Sequence, residues 1–232
     1  MTKTSSPPSK SPSHAIEKAP AEDPKAARKR VMTDARRALI LDAARATFFE
    51  LGIEKTSIRE IAQRAGYTPG ALYSYFTSKE AVYGALLSES LERLNEEVAA
   101  ASAANGKDLS ETVRVKARAF FDFYRRNPRD LDLGFYLFQG MQPRGLTPSL
   151  NESLNARLRD SLRPAQDALR AMGMSEELAL AEITALFAHT VGLLMLSHTG
   201  RIRMFKQGSQ ELFNIYLDQL LERGGLYVKK QA

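Results

Sequence analysis

An all-α fold is expected, and three features of the sequence point to it. Apolar residues recur at i, i+3 and i+4 spacing along most of the chain, and no segment alternates apolar and polar residues as a half-buried strand does. Ser57 and Thr77, each at the start of an apolar-periodic segment, are followed three residues later by Glu60 and Glu80, the signature of a capped helix start. The 232 residues are 44% apolar, enough for a packed core. With no Cys, a disulfide scaffold, a thiolate nucleophile and any cysteine-ligated metal are excluded.

Residues 1–33 hold five Pro and almost no large apolar side chains, so burial cannot offset the entropy of ordering them. They are expected to form a disordered, basic, Ser/Pro-rich tail ending in Lys25, Arg28, Lys29 and Arg30. From Asp34 the pattern is helical: Ile40, Ala43, Ala44, Thr47, Phe48 and Leu51 form one stripe, and Gly52 closes it. Ser57 with Glu60 caps a short helix carrying Ile58, Ile61, Ala62 and Ala65, which ends at Gly66. Thr68-Pro69 opens a third helix through Phe76, and Thr77 with Glu80 opens a fourth reaching about Ala104.

Further on, Val113, Ala117, Phe120 and Tyr124 make a stripe that Asn127-Pro128 terminates. An aromatic helix from Arg129 to Gln139 follows, then a helix from Thr147-Pro148 whose inner face is Leu150, Leu154, Leu158, Leu162 and Leu169, with Pro164 expected to kink it. Helices at about Ser175–Phe205 and Ser209–Arg223 complete the chain. Residues 34–80 are assigned to an N-terminal three-helix domain and residues 81–232 to a larger helical bundle.

The helices Ser57–Ala65 and Pro69–Phe76, joined by a tight Gly turn, make a helix-turn-helix, in which the second helix enters the DNA major groove. The stretch from Thr56 to Glu80, with the preceding helix and its Phe48-Phe49, resembles the DNA-binding domain of TetR-type (TetR/AcrR) transcriptional regulators; the resemblance covers about Asp34 to Leu87. It implies roles residue by residue. Arg59 matches a position that reaches a guanine edge. Thr68, Pro69, Gly70 and Ala71 form the leading turn of the recognition helix, small enough for backbone to approach the groove. Tyr73, Tyr75 and Lys79 match phosphate contacts, which position the protein while base contacts specify sequence. Tyr73 has an alternative place in the core beside Leu72 and Phe76.

Charge is unevenly divided: residues 1–33 carry +4, residues 34–80 carry +1 and residues 81–232 carry +1 of the net +6. The tail is therefore a candidate source of nonspecific phosphate attraction, the alternative being a solvated spacer.

In the second domain, Ala181, Ala185, Ala188 and Gly192 share one narrow helical face, opposite Ile183, Phe187, Thr190 and Leu194. With Leu212, Tyr216 and Leu220 of the last helix this small-residue face is expected to form a four-helix homodimer interface, unless it packs within its own subunit. Seven of the 19 residues from Phe120 to Phe138 are aromatic. Phe120, Tyr124, Phe135, Phe138, Met141, Phe187 and His198 are candidate lining of a pocket for a hydrophobic or aromatic effector, the alternative being plain core.

No GxxxxGK[ST], HExxH or GxSxG motif occurs, and His189 and His198 lie about 180° apart on their helix, so neither an enzyme, a cofactor nor a metal site is expected. The 18 uncharged residues 183–200 include Thr184, His189, Thr190, Ser197 and His198, which favours a bundle helix over a membrane span. A cytoplasmic, ligand-responsive repressor is thus expected, dimeric on a palindromic DNA operator. The alternatives are an activator of the same fold or a helical adaptor that does not bind DNA.

Overall fold

The computed structural model describes residues 23–104, 108–135 and 146–231, with side chains described as far as 225. All its described regular structure is helical: α1 (Pro24–Leu51), α2 (Ile58–Ala65), α3 (Pro69–Tyr73), α4 (Lys79–Ala100), α5 (Leu109–Arg126), α6 (Pro128–Phe135), α7 (Pro148–Ala171), α8 (Glu176–His198) and α9 (Ser209–Gln231), with a 3-10 turn at Arg201–Phe205. The described residues fall into two units, one ending at Ala38 and the other beginning at Leu39.

The N-terminal tail expected to be disordered to residue 33 is instead helical from Pro24. The Lys25 N–H donates to the Asp23 carboxylate at 3.0 Å and the Ala27 N–H to the Asp23 carbonyl at 3.0 Å, with Pro24 in the first helical position. The Ala, Lys and Arg that follow are strong helix formers, so the helix needs no buried face here. Core burial begins at Ile40, Leu41 and Ala44. Gly52, at φ 77°, ends α1.

The capping box on α2 is present: the Glu60 N–H donates to Ser57 Oγ at 3.3 Å and the Ser57 N–H to the Glu60 carboxylate at 2.7 Å. Gly66, at φ 74°, supplies the left-handed turn. At five residues α3 is shorter than expected and too short to persist alone. Leu72, fully buried, and Phe76 hold it to the core. The start of α4 is capped by Ser78, which accepts from the Ala81 N–H at 3.1 Å, and not by Thr77, which is exposed. α4 also stops at Ala100, short of Ala104.

Asp108 caps α5, and Thr147 with Pro148 starts α7, which continues as one helix through Pro164. The expected 175–205 helix breaks after His198, because Gly200 adopts φ 72° and turns the chain into the 3-10 segment. Within residues 39–232, α4 packs on α5 and α7, and α8 packs on α7 and α9. One continuous core runs through this unit, from Ile40 and Ile61 to Leu217 and Leu220.

Candidate nucleic-acid interface

The local rules that build α2 and α3 also decide which side chains they display. Ile58, Ile61, Ala62 and Leu72 turn inward, leaving Arg59, Thr68, Pro69 and Gly70 exposed, with Ala71 half-buried. Tyr73 is 56% exposed, which places it outside the core, whereas Tyr75 is half-buried and packs against it. Thr68 Oγ1 accepts from the Ala71 N–H at 3.2 Å, so its own hydroxyl proton remains free to donate outward. A side chain built at Gly70 would meet nothing within 4 Å. None of the described residues therefore requires glycine there, and the position lies on the exposed face. Arg59, equally exposed, has no intramolecular partner among the described residues.

Lys79 has an additional role. Its Nζ donates to the carbonyls of Ile53 at 2.8 Å and Glu54 at 3.2 Å, stapling the start of α4 to the end of α1 and leaving one of three protons uncommitted. Sequence reasoning missed the Arg64–Glu50 pair, whose two bonds of 2.7 and 2.5 Å tie α2 to α1. The Arg64 guanidinium holds the Glu50 carboxyl below its ordinary range. The two lie far enough apart in the chain that no local signal announces them.

On α8, Ala181, Ala185, Ala188 and Gly192 are all exposed, and Leu180 beside them is 49% exposed. On α9, Leu212 and Tyr216 are half-buried, but Leu220 is 0% exposed and belongs to the subunit's own core. The stack of Phe213 on Phe121, at 4.3 Å between ring centroids, sets the rotation of α9 so that Leu217 and Leu220 face inward and Ile215 faces out. Arg223 grips Glu182 with bonds of 3.0 and 2.8 Å and lies over the Tyr216 ring, which in turn stacks on His189 at 4.2 Å. Glu182 and His189, two turns apart on α8, are thereby joined through α9.

Burial lowers the affinity of His189 for a proton, opposed by a backbone hydrogen bond at Leu212. The unfolded chain then binds this proton at higher pH than the folded one. The stability it contributes is fully present above the ordinary histidine range and lost as pH falls through the lower, folded value. Urea unfolding is expected to show lower stability at about pH 5.5 than at about pH 7.5, with a smaller loss in His189→Gln. Equal losses in both proteins would contradict this.

The structure brings together four of the seven expected pocket residues. Phe120 meets Tyr124 at 5.3 Å and Phe187 at 6.1 Å, and Phe135 meets Tyr124 and Phe187 at 5.7 Å each. Phe138 and Met141 lie outside the described residues. His198 is exposed at the end of α8, about 16 Å along the helix from Phe187, and does not join the cluster. A separate cleft of about 730 Å³, lined by Arg45, Phe49, Glu92, Arg93, Arg129 and Asp130, opens between α1, α4 and α6. Arg129 lies over the Phe49 ring at 5.2 Å, Arg93 pairs with Asp130 at 2.6 Å, and the Tyr83 hydroxyl donates to the Leu133 carbonyl. Among the described residues no three His, Cys, Asp or Glu converge as a metal site would require.

Residues 40–86 match the family described as "Bacterial regulatory proteins, tetR family". A 60-residue segment is 42% identical to the HTH-type transcriptional repressor Rv1474c of Mycobacterium tuberculosis, covering 26% of this chain and 32% of that protein. A 106-residue segment is 33% identical to the HTH-type transcriptional activator FasR of Mycolicibacterium smegmatis, covering 46% and 48%. The matches thus span half or less of these relatives' lengths. In three dimensions, a regulatory protein in the tetR family from Rhodococcus RHA1 superposes with a TM-score of 0.64 over 82% of this chain and 97% of that one, at 20% identity, a likeness of fold.

Proposed function

We propose, from the premise that this chain belongs to the tetR family of bacterial regulatory proteins through its residues 40–86, that it is a cytoplasmic repressor that binds a palindromic operator as a homodimer and is released by a small hydrophobic or aromatic effector. Membership of a family of regulators sets catalysis aside. The observation that carries the DNA reading is the exposed face of α2 and α3, where Arg59 and Tyr73 project beside a glycine that has room for a side chain and lacks one.

On this reading Arg59 meets a guanine edge, and the Thr68–Ala71 turn lies against the groove floor. Tyr73, Tyr75 and the uncommitted proton of Lys79 hold phosphates. The exposed small-residue face of α8 is the dimer seam, since two recognition helices must sit about 34–36 Å apart to read two half-sites. Selection of bound sequences from random DNA is expected to enrich a two-fold symmetric site; no enrichment would overturn the proposal. An activator reading draws on FasR, whose aligned segment spans 48% of that protein. A reporter placed behind the selected site decides between the two.

The basic helical start of α1 supports a second contribution. Lys25, Arg28, Lys29 and Arg30 lie within a stretch of net charge +4, against +1 for residues 34–80. Removal of residues 1–30 is expected to weaken binding to the selected site and to flatten its salt dependence. The log–log slope should fall by about 0.9 for each phosphate that the shortened protein no longer neutralises. An unchanged slope would give this segment no role on DNA.

A further inference from the structure

Between α8 and α9 the chain makes the 3-10 turn Arg201–Phe205, and the turn is anchored at both ends. Ile202 is buried, and the Ser209 hydroxyl donates to the Ser197 hydroxyl at 3.3 Å. The Lys206 N–H donates to the Arg203 carbonyl at 3.0 Å. Lys206 itself stands at φ 52°, in the left-handed region that a residue with a β-carbon enters at a cost. The anchored turn sends two neighbouring apolar side chains outward: Met204 is 74% exposed and Phe205 61%. A lone exposed apolar residue is ordinary, but two side by side on a fixed turn make a patch.

Cations flank this patch along the chain. Arg201, Arg203 and Lys206 are all exposed, and none of their side chains has a partner among the described residues. No Asp or Glu occurs from Ile183 to Gln210, so the segment carries no counter-charge of its own.

Charge and apolarity together select the occupant. A second copy meeting the turn symmetrically would bring like charges together, three from each chain. A DNA backbone supplies phosphates for the cations but no apolar medium for Met204 and Phe205. The surface of an anionic bilayer supplies both, with phosphates at the headgroups and hydrocarbon just beneath. Arg and Lys stems can lie along apolar surface while their charges stay at the headgroups.

We propose that the Arg201–Lys206 turn is a docking point for anionic phospholipid surfaces, with Met204 and Phe205 entering the headgroup boundary and Arg201, Arg203 and Lys206 meeting the phosphates. The contact is peripheral: α8 stays in the bundle, where Ile183, Leu186, Leu193 and Leu194 are buried. It adds a partner to the regulatory reading and does not depend on it.

Flotation of the full-length protein tests it, with vesicles of phosphatidylcholine alone and of equal parts phosphatidylcholine and phosphatidylglycerol. The wild type is expected to float with the anionic vesicles and to stay behind with the neutral ones. Met204→Ser combined with Phe205→Ser keeps every charge and is expected to weaken partitioning about tenfold. Arg201→Gln, Arg203→Gln and Lys206→Gln are each expected to weaken it about fivefold. All five side chains are exposed, so these proteins are expected to keep the wild-type Tm. Undiminished flotation of the Met204→Ser, Phe205→Ser protein would assign lipid binding to the basic stretch from Lys25 to Arg30 and overturn the proposal. So would equal flotation with neutral vesicles, or none with either. A smaller mass or a lower Tm in that double variant would make the patch a contact between copies or part of the fold's own packing. Weaker binding of the selected DNA site by the three charge variants would give their cations to DNA. Each of these results overturns the assignment.

Discussion

Ala188→Arg is expected to leave the protein monomeric at micromolar concentration and to abolish tight binding to a two-fold symmetric DNA site. Ala188 stands on an exposed row with Ala181, Ala185 and Gly192, and only 33% of the most apolar stretch of α8 is buried within the chain. Small side chains there permit close approach of a second copy. In an isologous interface one substitution appears twice near the symmetry axis, so two guanidinium groups would enter a seam of small side chains. Burying an unpaired charge costs about 3–5 kcal/mol, enough to raise a dissociation constant by more than about a hundredfold. Loss of the dimer then removes the second half-site and the avidity it brings. Light scattering during gel filtration reads the mass directly, and a dimer of undiminished stability would move the seam elsewhere.

Gly70→Leu is expected to separate folding from DNA binding. Among the described residues nothing apart from its chain neighbours and its own helix backbone lies within 4 Å of the new Cβ position, and the backbone of Gly70 is not in the left-handed region. Leu is a better helix former than Gly by roughly 0.5–1 kcal/mol, so thermal stability should hold or rise slightly. The same side chain would stand between α3 and the groove floor. Losing close approach over one base step is expected to reduce affinity on the order of a hundredfold, about 3 kcal/mol. Gly66→Ala is the contrasting case. At φ 74° a β-carbon strains the turn, so stability should fall before any effect on binding is seen.

What the sequence made legible is local. Ser57 with Glu60, Gly66 and Thr68-Pro69 each determine their own backbone within a few residues, and the structure places each cap where the spacing predicts it. The start of α1 escaped because hydrophobic patterning detects burial, whereas Ala, Lys and Arg after an Asp23-Pro24 start form helix without it. Thr77 and Ser78 are both competent caps one residue apart, and the packing of α4 chooses between them. Leu220 was misplaced for a related reason. The apolar residues of α9 cover more than one face, and the stack of Phe213 on Phe121, a residue of α5 far away in the chain, decides which points inward. The Arg64–Glu50 pair and the Glu182–Arg223–Tyr216–His189 column likewise link distant parts of the chain, and no spacing rule reaches them. Net charge, by contrast, said little: residues 34–80 carry only +1, so the proposed recognition depends on where Arg59, Tyr73 and Lys79 are held.

Recognition through α2 and α3 is tested most directly by the ratio of affinities for the selected site and a scrambled site of equal length, measured for the wild type and Gly70→Leu across a salt series. Specific reading of the groove predicts a wild-type ratio of about a thousand or more that collapses towards unity in the variant, while weak salt-dependent binding to both DNAs persists. A wild-type ratio near unity, or a high ratio untouched by Gly70→Leu, would contradict it.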